Sequence, residues 1–534
     1  MRRELDEKVY FVYFDGNNSY LTWCHLGYIV SAVKQVKYTD VLVRNVNKYN
    51  LDVISEEIIN EKPKMLILAI KYKTYKLSQE LISLIHKNVQ HICMCYTLPT
   101  SFPDRILLEN PEIDSVLIGE VENTIGELVE CVLQDRDYKD CNGIGYLENG
   151  EVKINPVGKI VFDLDKVSFP EREGFPTDKK FFHVLGSRGC EGNCSFCSMN
   201  DFYQTHTNYG QRFRSVSNLV SEMDELVEKY DCKYVGISDS TFCKNVNGFV
   251  DVKRLEELYM ELSNRKYHIE FFINMRAEQI TSGSIYWLDK LNAIGLSRVF
   301  IGIESWNKSD LKLYNKIANI SVNRAAVGLI QDYLMKKDNG YYIDFQYGFI
   351  NFNPFSTMES IVHNVEEHIS LGNLLTPEML ISKLEVNHKT KMEEIATKAG
   401  RCDLKINIYS KNVDYKFENY EVFRLYDFLE SNIGDLRDDF SDSLPILVNR
   451  YIYFFGRDNK VKNVLKTNQY YKQLRSRYLY FIFCDYIRKK KISINTENVS
   501  EISIDQVKKA EKECSNTLRR IIIELKRINQ LSYY

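Results

Sequence analysis

Three cysteines, Cys190, Cys194 and Cys197, stand in the run Gly-Ser-Arg-Gly-Cys-Glu-Gly-Asn-Cys-Ser-Phe-Cys-Ser. Their C-x3-C-x2-C spacing lets three thiolates converge on one centre. Proteins ordinarily hold an iron–sulfur cluster with four cysteines. A set of three leaves one iron open to something else. An open iron can be chelated by the amino and carboxylate groups of a small molecule, and can pass an electron into a weak bond of that ligand. The competing readings are three unrelated thiols, or a zinc site closed by His183 or His206, because structural zinc takes four ligands.

Such a centre needs a scaffold, and the pattern around it alternates between strands and helices. Strand-like apolar runs are Phe182–Leu185, Tyr234–Ser238, Ile269–Met275, Arg298–Ile303, Tyr342–Phe349 and Leu380–Val386. Helix-like stretches fill the gaps, at Asn218–Tyr230, Val250–Leu262, Ile285–Leu291, Val322–Lys336 and Met358–Leu371. Six such units predict a central partial (β/α)6 barrel over 180–400, since the closed form takes eight. Chemistry in barrels collects at the C-terminal ends of strands, and the cysteines follow the first strand.

Before the barrel, Val9–Phe14, Met65–Ala69, Val89–Met94 and Ser115–Ile118 read as short strands, with helices such as Leu51–Ile59 and Leu77–His86 between them. This alternation predicts an N-terminal Rossmann-like parallel sheet over 1–155. Gly119-Glu120 ends one strand, and Asn123 offers a helix cap. A linker is expected over 156–179, where Pro170 and Pro176 disfavour helix before them. From 401 to 534 the pattern turns mostly helical and predicts a C-terminal substrate cap. The fold class expected is therefore α/β with a helical C-terminal domain.

The chain has 534 residues, too many for one core. Lys plus Arg number 70 and Asp plus Glu 73, so no overall field favours nucleic acid or an anionic membrane. Neither a bilayer-spanning run nor a signal peptide is apparent, and the thirteen cysteines do not read as a secreted disulfide framework. A cytoplasmic protein is the expectation.

The segment Arg188-Gly-Cys190-x3-Cys194-Ser-Phe-Cys197-Ser resembles the cluster motif of the radical S-adenosylmethionine enzymes. The chain downstream agrees in order and spacing. Gly236-Ile-Ser-Asp-Ser-Thr-Phe242 resembles the family's second strand end, and Phe272-Ile-Asn-Met-Arg-Ala277 its third strand. Arg298-Val-Phe-Ile-Gly-Ile-Glu-Ser305 resembles the fourth, and Tyr347-Gly-Phe-Ile-Asn-Phe352 with Thr357-Met-Glu359 the fifth. The resemblance implies that Cys190, Cys194 and Cys197 hold a [4Fe–4S] cluster whose fourth iron takes S-adenosylmethionine. It implies that Phe196 packs on the adenine, and that Ser238 and Asp239 accept from the methionine ammonium. The family often has two acids at that point, where this chain has Ser238. Arg276 would pair with the methionine carboxylate, and Glu304 and Ser305 would bind the ribose hydroxyls. Reduction would split the cofactor into methionine and a deoxyadenosyl radical that takes a substrate hydrogen. An electron donor such as flavodoxin or ferredoxin is implied, with a small-molecule or peptide substrate.

The N-terminal part is similar to the cobalamin-binding domain that precedes many of these enzymes. The similarity rests on Met65–Ala69 and on the run Ser101–Glu122, which ends Pro-Glu-Ile-Asp-Ser-Val-Leu-Ile-Gly-Glu-Val-Glu. It implies cobalamin as a further cofactor and methyl transfer to carbon as the outcome. Two departures stand. There is no Asp-x-His-x-x-Gly to supply a lower histidine ligand. The turn that usually carries glycines reads Cys93-Met-Cys-Tyr-Thr97, and glycines are what let a backbone approach a bulky ligand. A domain kept only as scaffold therefore stays open.

Two rival functions follow. A cobalamin-independent peptide-modifying enzyme, an epimerase or a thioether cross-linker, would need a donor thiol, for which Cys402, Cys484 and Cys514 are candidates. A non-catalytic redox sensor would need only the cluster. No second cysteine triad argues for a methylthiotransferase. Cys93 and Cys95, the basic run Arg488–Lys491, and tyrosines such as Tyr470, Tyr471, Tyr478 and Tyr480 read as core or solvated surface.

Overall fold

The computed structural model describes residues 7–14, 20–156, 158, 160–177, 180–203, 210–246, 249–337, 340–402, 406–436, 443–494 and 501–528. His206 lies outside them. The chain forms two compact units, one of residues 1–222, 386–395 and 403–414, the other of 223–385, 396–402 and 415–534.

The first unit is built on a seven-stranded sheet. Its strands are β1 (Glu7–Phe14), β2 (Thr39–Val46), β3 (Met65–Ala69), β4 (His91–Cys95), β5 (Ser115–Leu117), β6 (Ile144–Glu148) and β7 (Glu151–Ile154), in the order β2-β1-β3-β4-β5-β6-β7. The first five are parallel, and β6 and β7 close the edge antiparallel. β3 and β4 are buried along their whole length, because helices cover both faces. Val9, Phe11, Ile67 and Cys93 point into one core; Tyr10, Val12, Leu66 and Met94 point into the other. Cys93 and Cys95 thus belong to the core. Strand order reverses between β1 and β3, which is where open α/β sheets bind ligands, outside their carboxyl ends. The unit also holds β8 (Phe181–Val184) and the short antiparallel pair β9 (Ser187–Arg188) and β10 (Arg212–Phe213).

In the second unit, β11 (Tyr234–Ile237) is followed by a hairpin, β12 (Lys244–Val246) and β13 (Phe249–Asp251). Parallel pairing then runs from β11 to β14 (Glu270–Arg276), to β15 (Leu296–Glu304) and to β16 (Asp344–Phe349). The two faces differ. Phe271, Ile273, Val299 and Ile301 are buried, whereas Phe272, Asn274, Phe300 and Gln346 are partly open. One face carries the core and the other is more accessible, as period-two alternation dictates. Helices Leu444–Phe455, Asn459–Lys489 and Ile504–Arg527 pack together around Tyr451, Tyr471, Cys514 and Leu518. The helical C-terminal reading holds, and Tyr471 and Cys514 are core residues. Among the described residues no helix is long and apolar enough to cross a membrane.

Each unit buries a neutral histidine. His91 meets Ser115 Oγ at 2.8 Å, and Trp306 Nε1 donates to His368 Nδ1 at 3.4 Å. Burial lowers both rings from 6.5 to about 4. Between those values the unfolded chain binds protons that the fold does not. Stability is therefore complete above about pH 6.5 and falls as pH drops towards 4, by about 1.4 kcal/mol per pH unit for each ring. Urea unfolding at pH 7, 6 and 5 checks this: the midpoint should fall with each step.

Candidate functional site

Ten of the thirteen cysteines are buried, and the three that are part-exposed are Cys190, Cys194 and Cys197. The loop that carries them is fixed from several sides. Gly189 has φ +82°, and a Cβ there would stand 2.5 Å from Gly210 O, so only glycine fits this crossing. Cys197 N donates to Cys194 O at 3.2 Å, and Gly192 N donates to Cys190 Sγ at 3.3 Å. From the returning segment 386–395, Met392 N donates to Ser195 O at 2.7 Å and Asn387 Nδ2 to Phe196 O at 3.4 Å. Phe196 is half-buried. Among the described residues no three His, Cys, Asp or Glu side chains are grouped to hold a single ion. His183 is part-buried on Phe181, and burial drops its ring to about 3.

The stem of the loop is gripped by buried charge. Arg188, two residues before Cys190, meets Glu120 at 3.0 Å and Glu122 at 2.7 Å. Glu120 also pairs with Arg212, across β10 from Arg188. The Arg188 guanidinium lies 4.9 Å from the Tyr28 ring centroid. Burial alone would raise the Glu122 carboxyl, but Arg188 beside it holds it below its usual range. The Gly-Glu-Val-Glu sequence, read above as a strand end and helix start, therefore has this second task. Sequence spacing could not have shown it.

The same edge of the seven-stranded sheet carries a small cleft of about 40 Å3, lined by His25, Tyr28, Tyr96, Glu120, Glu122 and Arg188 among others. A smaller one, with Phe14, Lys71 and Thr74, shares Tyr96 as lining and lies at the β1/β3 reversal. Tyr96 has φ 86° and ψ −149°, a backbone state open to glycine and costly for a tyrosine. The turn has therefore kept a glycine-type path without the glycine. Burial and nearby Arg188 lower His25 to about 4, and burial and then Lys411 lower Lys71 to about 8. Lys71 Nζ donates to Thr22 Oγ1 at 2.7 Å. The positive-φ backbone at Tyr96 and Gly119 borders this cleft, the path by which a chain can pass close to a group held at this edge.

In the second unit the strand ends bring the remaining candidates to one face. Asp239 is buried just past β11, with Asn274 Nδ2 donating to its carbonyl at 2.8 Å and Arg254 Nη2 3.9 Å from its carboxylate. Ser238 beside it is part-exposed. Arg276, Gly302 and Gly348 form one row across β14, β15 and β16. A Cβ on Gly302 would come within 2.7 Å of Glu304 Oε1, and one on Gly348 within 2.8 Å of the Phe300 ring. The two glycines make the trough in which the Glu304 carboxylate lies. Glu304 has φ 70°, is raised above the usual carboxyl range by burial, and sits 3.3 Å from Lys316 Nζ. Arg276 is buried, and its three guanidinium nitrogens find no hydrogen-bond acceptor among the described residues, although Glu278 forms an ion pair at 2.6 Å. Such donors suit an incoming carboxylate. Ser305 is engaged elsewhere: its hydroxyl stands 2.9 Å from Asp310 Oδ2 and 3.1 Å from Asn364 Oδ1, fully buried. Cys402 and Cys484 are buried like Cys514, and burial pushes the Cys484 thiol up to about 11.

Arg276→Met is expected to weaken S-adenosylmethionine binding by roughly 10- to 150-fold, the equivalent of about 1.5–3 kcal/mol for a hydrogen-bonded charge, with iron content unchanged. Equilibrium dialysis of the reconstituted protein checks it.

Residues 184–345 match the family model of the Radical SAM superfamily. An uncharacterized methyltransferase of Pyrococcus horikoshii is 29% identical over 227 residues, 41% of this chain and 46% of that protein. The alignments span about half the length of the curated relatives. Among solved structures, the cobalamin-dependent S-adenosylmethionine radical enzyme OxsB, with aqua-cobalamin and S-adenosylmethionine bound, superposes with a TM-score of 0.65 at 16% identity, covering 98% of this chain and 80% of that one. The radical S-adenosylmethionine methyltransferase TsrM from Kitasatospora setae, with tryptophan and a cofactor analogue bound, gives 0.57 at 15% identity over 74% and 76%.

Proposed function

We propose that this chain, a radical S-adenosylmethionine enzyme of the group with an N-terminal cobalamin-binding-type domain, methylates carbon in a small-molecule or peptide substrate. The observation that carries the reading is the set of three part-exposed thiols on one fixed loop, in a protein whose other ten thiols are buried. The likeness in fold to OxsB and TsrM supports it. When bound, the [4Fe–4S] cluster supplies the electron that cleaves S-adenosylmethionine, and cobalamin supplies the methyl group.

In this reading Cys190, Cys194 and Cys197 hold three irons, and the Gly192 N–H steadies the first thiolate. Asp239 and Ser238 accept from the methionine ammonium, Arg276 pairs with its carboxylate, and Glu304 accepts from the ribose. Ser305, bonded to Asp310 and Asn364, holds the turn that keeps Glu304 in place. Phe196 offers its half-buried ring to the adenine. Cobalamin would lie against His25, Tyr96 and the turn from Gly119 to Glu122.

The test is anaerobic reconstitution with iron, sulfide and hydroxocobalamin, then incubation with S-adenosylmethionine and dithionite. The proposal expects bound corrinoid, deoxyadenosine and S-adenosylhomocysteine. Deoxyadenosine from a protein that retains no corrinoid would sink the methyl-transfer part. Replacing dithionite by flavodoxin or ferredoxin tests the electron donor.

A further inference from the structure

The near-balance of charge over the whole chain hides an uneven distribution. Residues 444–534 hold 19 of the 70 Lys and Arg but 8 of the 73 Asp and Glu, an excess of 11 positive charges, while 1–443 carry an excess of 14 negative ones. The structure gathers much of that excess on one face. In the helix Ile504–Arg527, Val507, Ala510, Cys514, Leu518, Ile521 and Leu525 are buried. Lys508, Lys509, Lys512, Arg519, Arg520 and Lys526 are exposed, at intervals of three, four and seven residues that keep them on one stripe. None of these six has a carboxylate partner among the described residues. From Lys508 to Lys526 the stripe runs about 27 Å, at roughly 1.5 Å per residue. Thr467 Oγ1 meets Thr517 Oγ1 at 2.8 Å and sets the helix Asn459–Lys489 alongside, with Lys462 and Lys466 exposed on it. Lys508 and Lys512 stand one turn apart, as do Lys462 and Lys466, so each pair repels along its own helix. A bound polyanion would remove that repulsion.

A second observation lies at one end of the stripe. Tyr453, Phe454 and Phe455, in the last turn of the helix Leu444–Phe455, are 44%, 41% and 42% exposed. Phe455 packs on Tyr451 at 4.8 Å between ring centroids. Lys460 Nζ donates to the Tyr451 hydroxyl at 3.2 Å and pairs with Glu524 at 3.6 Å, two residues from Lys526. These contacts join the aromatic corner to the end of the stripe. Cations that follow a backbone, next to ring faces on which bases can stack, are how unpaired nucleotides are held. Other partners fit less well. The apolar side of Ile504–Arg527 is buried in the core, so none of it is left to enter a bilayer. Protein interfaces centre on an apolar cluster, and along these two helices Tyr470 and Ile523 alone, among the described residues, expose large apolar side chains.

We propose that this face binds single-stranded nucleic acid, with its phosphates along the basic stripe and unpaired bases on the Tyr453–Phe455 corner. A nucleic acid strand carries a regular row of anionic oxygens, which suits a long stripe of cations rather than one pocket. The proposal stands apart from the radical reading, since no residue of the face belongs to the candidate cofactor site.

The test follows the fluorescence anisotropy of labelled RNA and DNA oligomers of about 20 nucleotides, longer than one such face covers, with the reconstituted full chain. The titration is repeated from low to physiological salt. Saturable binding is expected, with log K falling against log salt at a slope of about −4 for roughly six phosphate contacts. Lys512→Gln, Arg519→Gln and Lys526→Gln together should flatten that slope by about 2 and weaken binding at least about tenfold. The same change at Lys76, Lys312 and Lys336, exposed lysines elsewhere, should leave both unchanged. Phe454→Ala should weaken the single strand about 5- to 150-fold, the loss of one base–ring stack. The ratio of RNA to DNA affinity shows which sugar is preferred. Unsaturable binding, an equal loss in the control variant, unchanged affinity in Phe454→Ala, or a duplex bound as tightly as the single strand overturns the proposal. So does displacement of the oligomer by polyglutamate or by phosphatidylglycerol vesicles at equal charge, which would assign the face to an acidic protein or to a membrane.

Discussion

Replacing Cys194 by alanine is expected to abolish deoxyadenosine formation, to the level of protein never supplied with iron. The middle thiol of a set of three has no substitute nearby, because the other ten cysteines are buried in cores and burial raises thiols such as Cys24, to about 11, and Cys243, to about 12. A cluster with two protein ligands is not retained through gel filtration. The substitution should leave the fold alone. The loop is held by backbone groups, Cys194 O and Ser195 O among them, which the change does not touch. A part-exposed side chain of this kind is worth within about 0.5 kcal/mol when truncated. Iron and sulfide analysis, the electron paramagnetic resonance of the reduced protein and a thermal melt of the metal-free form read these outcomes together. Retained iron, or a melting point far below the parent's, would contradict the assignment.

Glu120→Ala should have the second largest effect, with the opposite signature. It leaves two buried guanidinium groups, Arg188, which keeps Glu122, and Arg212, which loses its Glu120 carboxylate. Breaking a buried ion pair from one side costs about 3–5 kcal/mol, because the stranded charge has lost its partner but not its burial. For a unit the size of the first one, unfolding by itself, that corresponds to a fall in melting temperature of about 10 °C, at about 2–4 °C per kcal/mol. Glu120→Gln keeps the shape and hydrogen-bond acceptance of one oxygen and should cost less. The effect should reach the cluster loop, since Arg188 is two residues from Cys190. Iron is therefore expected to leave the Ala variant faster under a chelator challenge, at temperatures where the fold is intact. A thermal melt followed by circular dichroism and a timed chelation assay separate the two effects.

Much of the scaffold is legible residue by residue. β1, β3, β4 and β5 are short apolar runs because helices bury both faces of the sheet, and such strands carry little polarity. β2 escapes that pattern. It is the edge strand, half-exposed along most of its length, and Asp40, Arg44 and Asn45 interrupt it. The helix Tyr20–Lys34 escapes for the reverse reason: it is apolar on most of its surface, so no polar stripe announces it. The run Leu380–Val386, read as one strand, is a turn of helix, Pro377–Leu380, followed by a short extended piece. In the site, the cysteines and the residues at strand ends are visible because spacing and strand position are local properties. The grip of Glu120 on Arg188 and the support of Ser195 by Met392 join residues far apart in the chain. No window of sequence contains both partners. The glycine-type backbone of Tyr96 is hidden by its own side chain, since a tyrosine there gives no hint of the path it follows.

The returning segment has a consequence for the order in which this protein can be made. Synthesis runs from the N-terminus, and domains generally begin to fold as they emerge. The first unit is not a continuous stretch: residues 386–395 and 403–414 belong to it, and Met392 bonds directly to the loop between the second and third cysteines. Until the ribosome has passed residue 414, that loop lacks part of its support, and some 160 residues of the other unit are already waiting. Cluster insertion would thereby be deferred to a nearly finished chain, and a fragment ending at residue 222 would display all three thiols on a loop without its Met392 and Asn387 contacts.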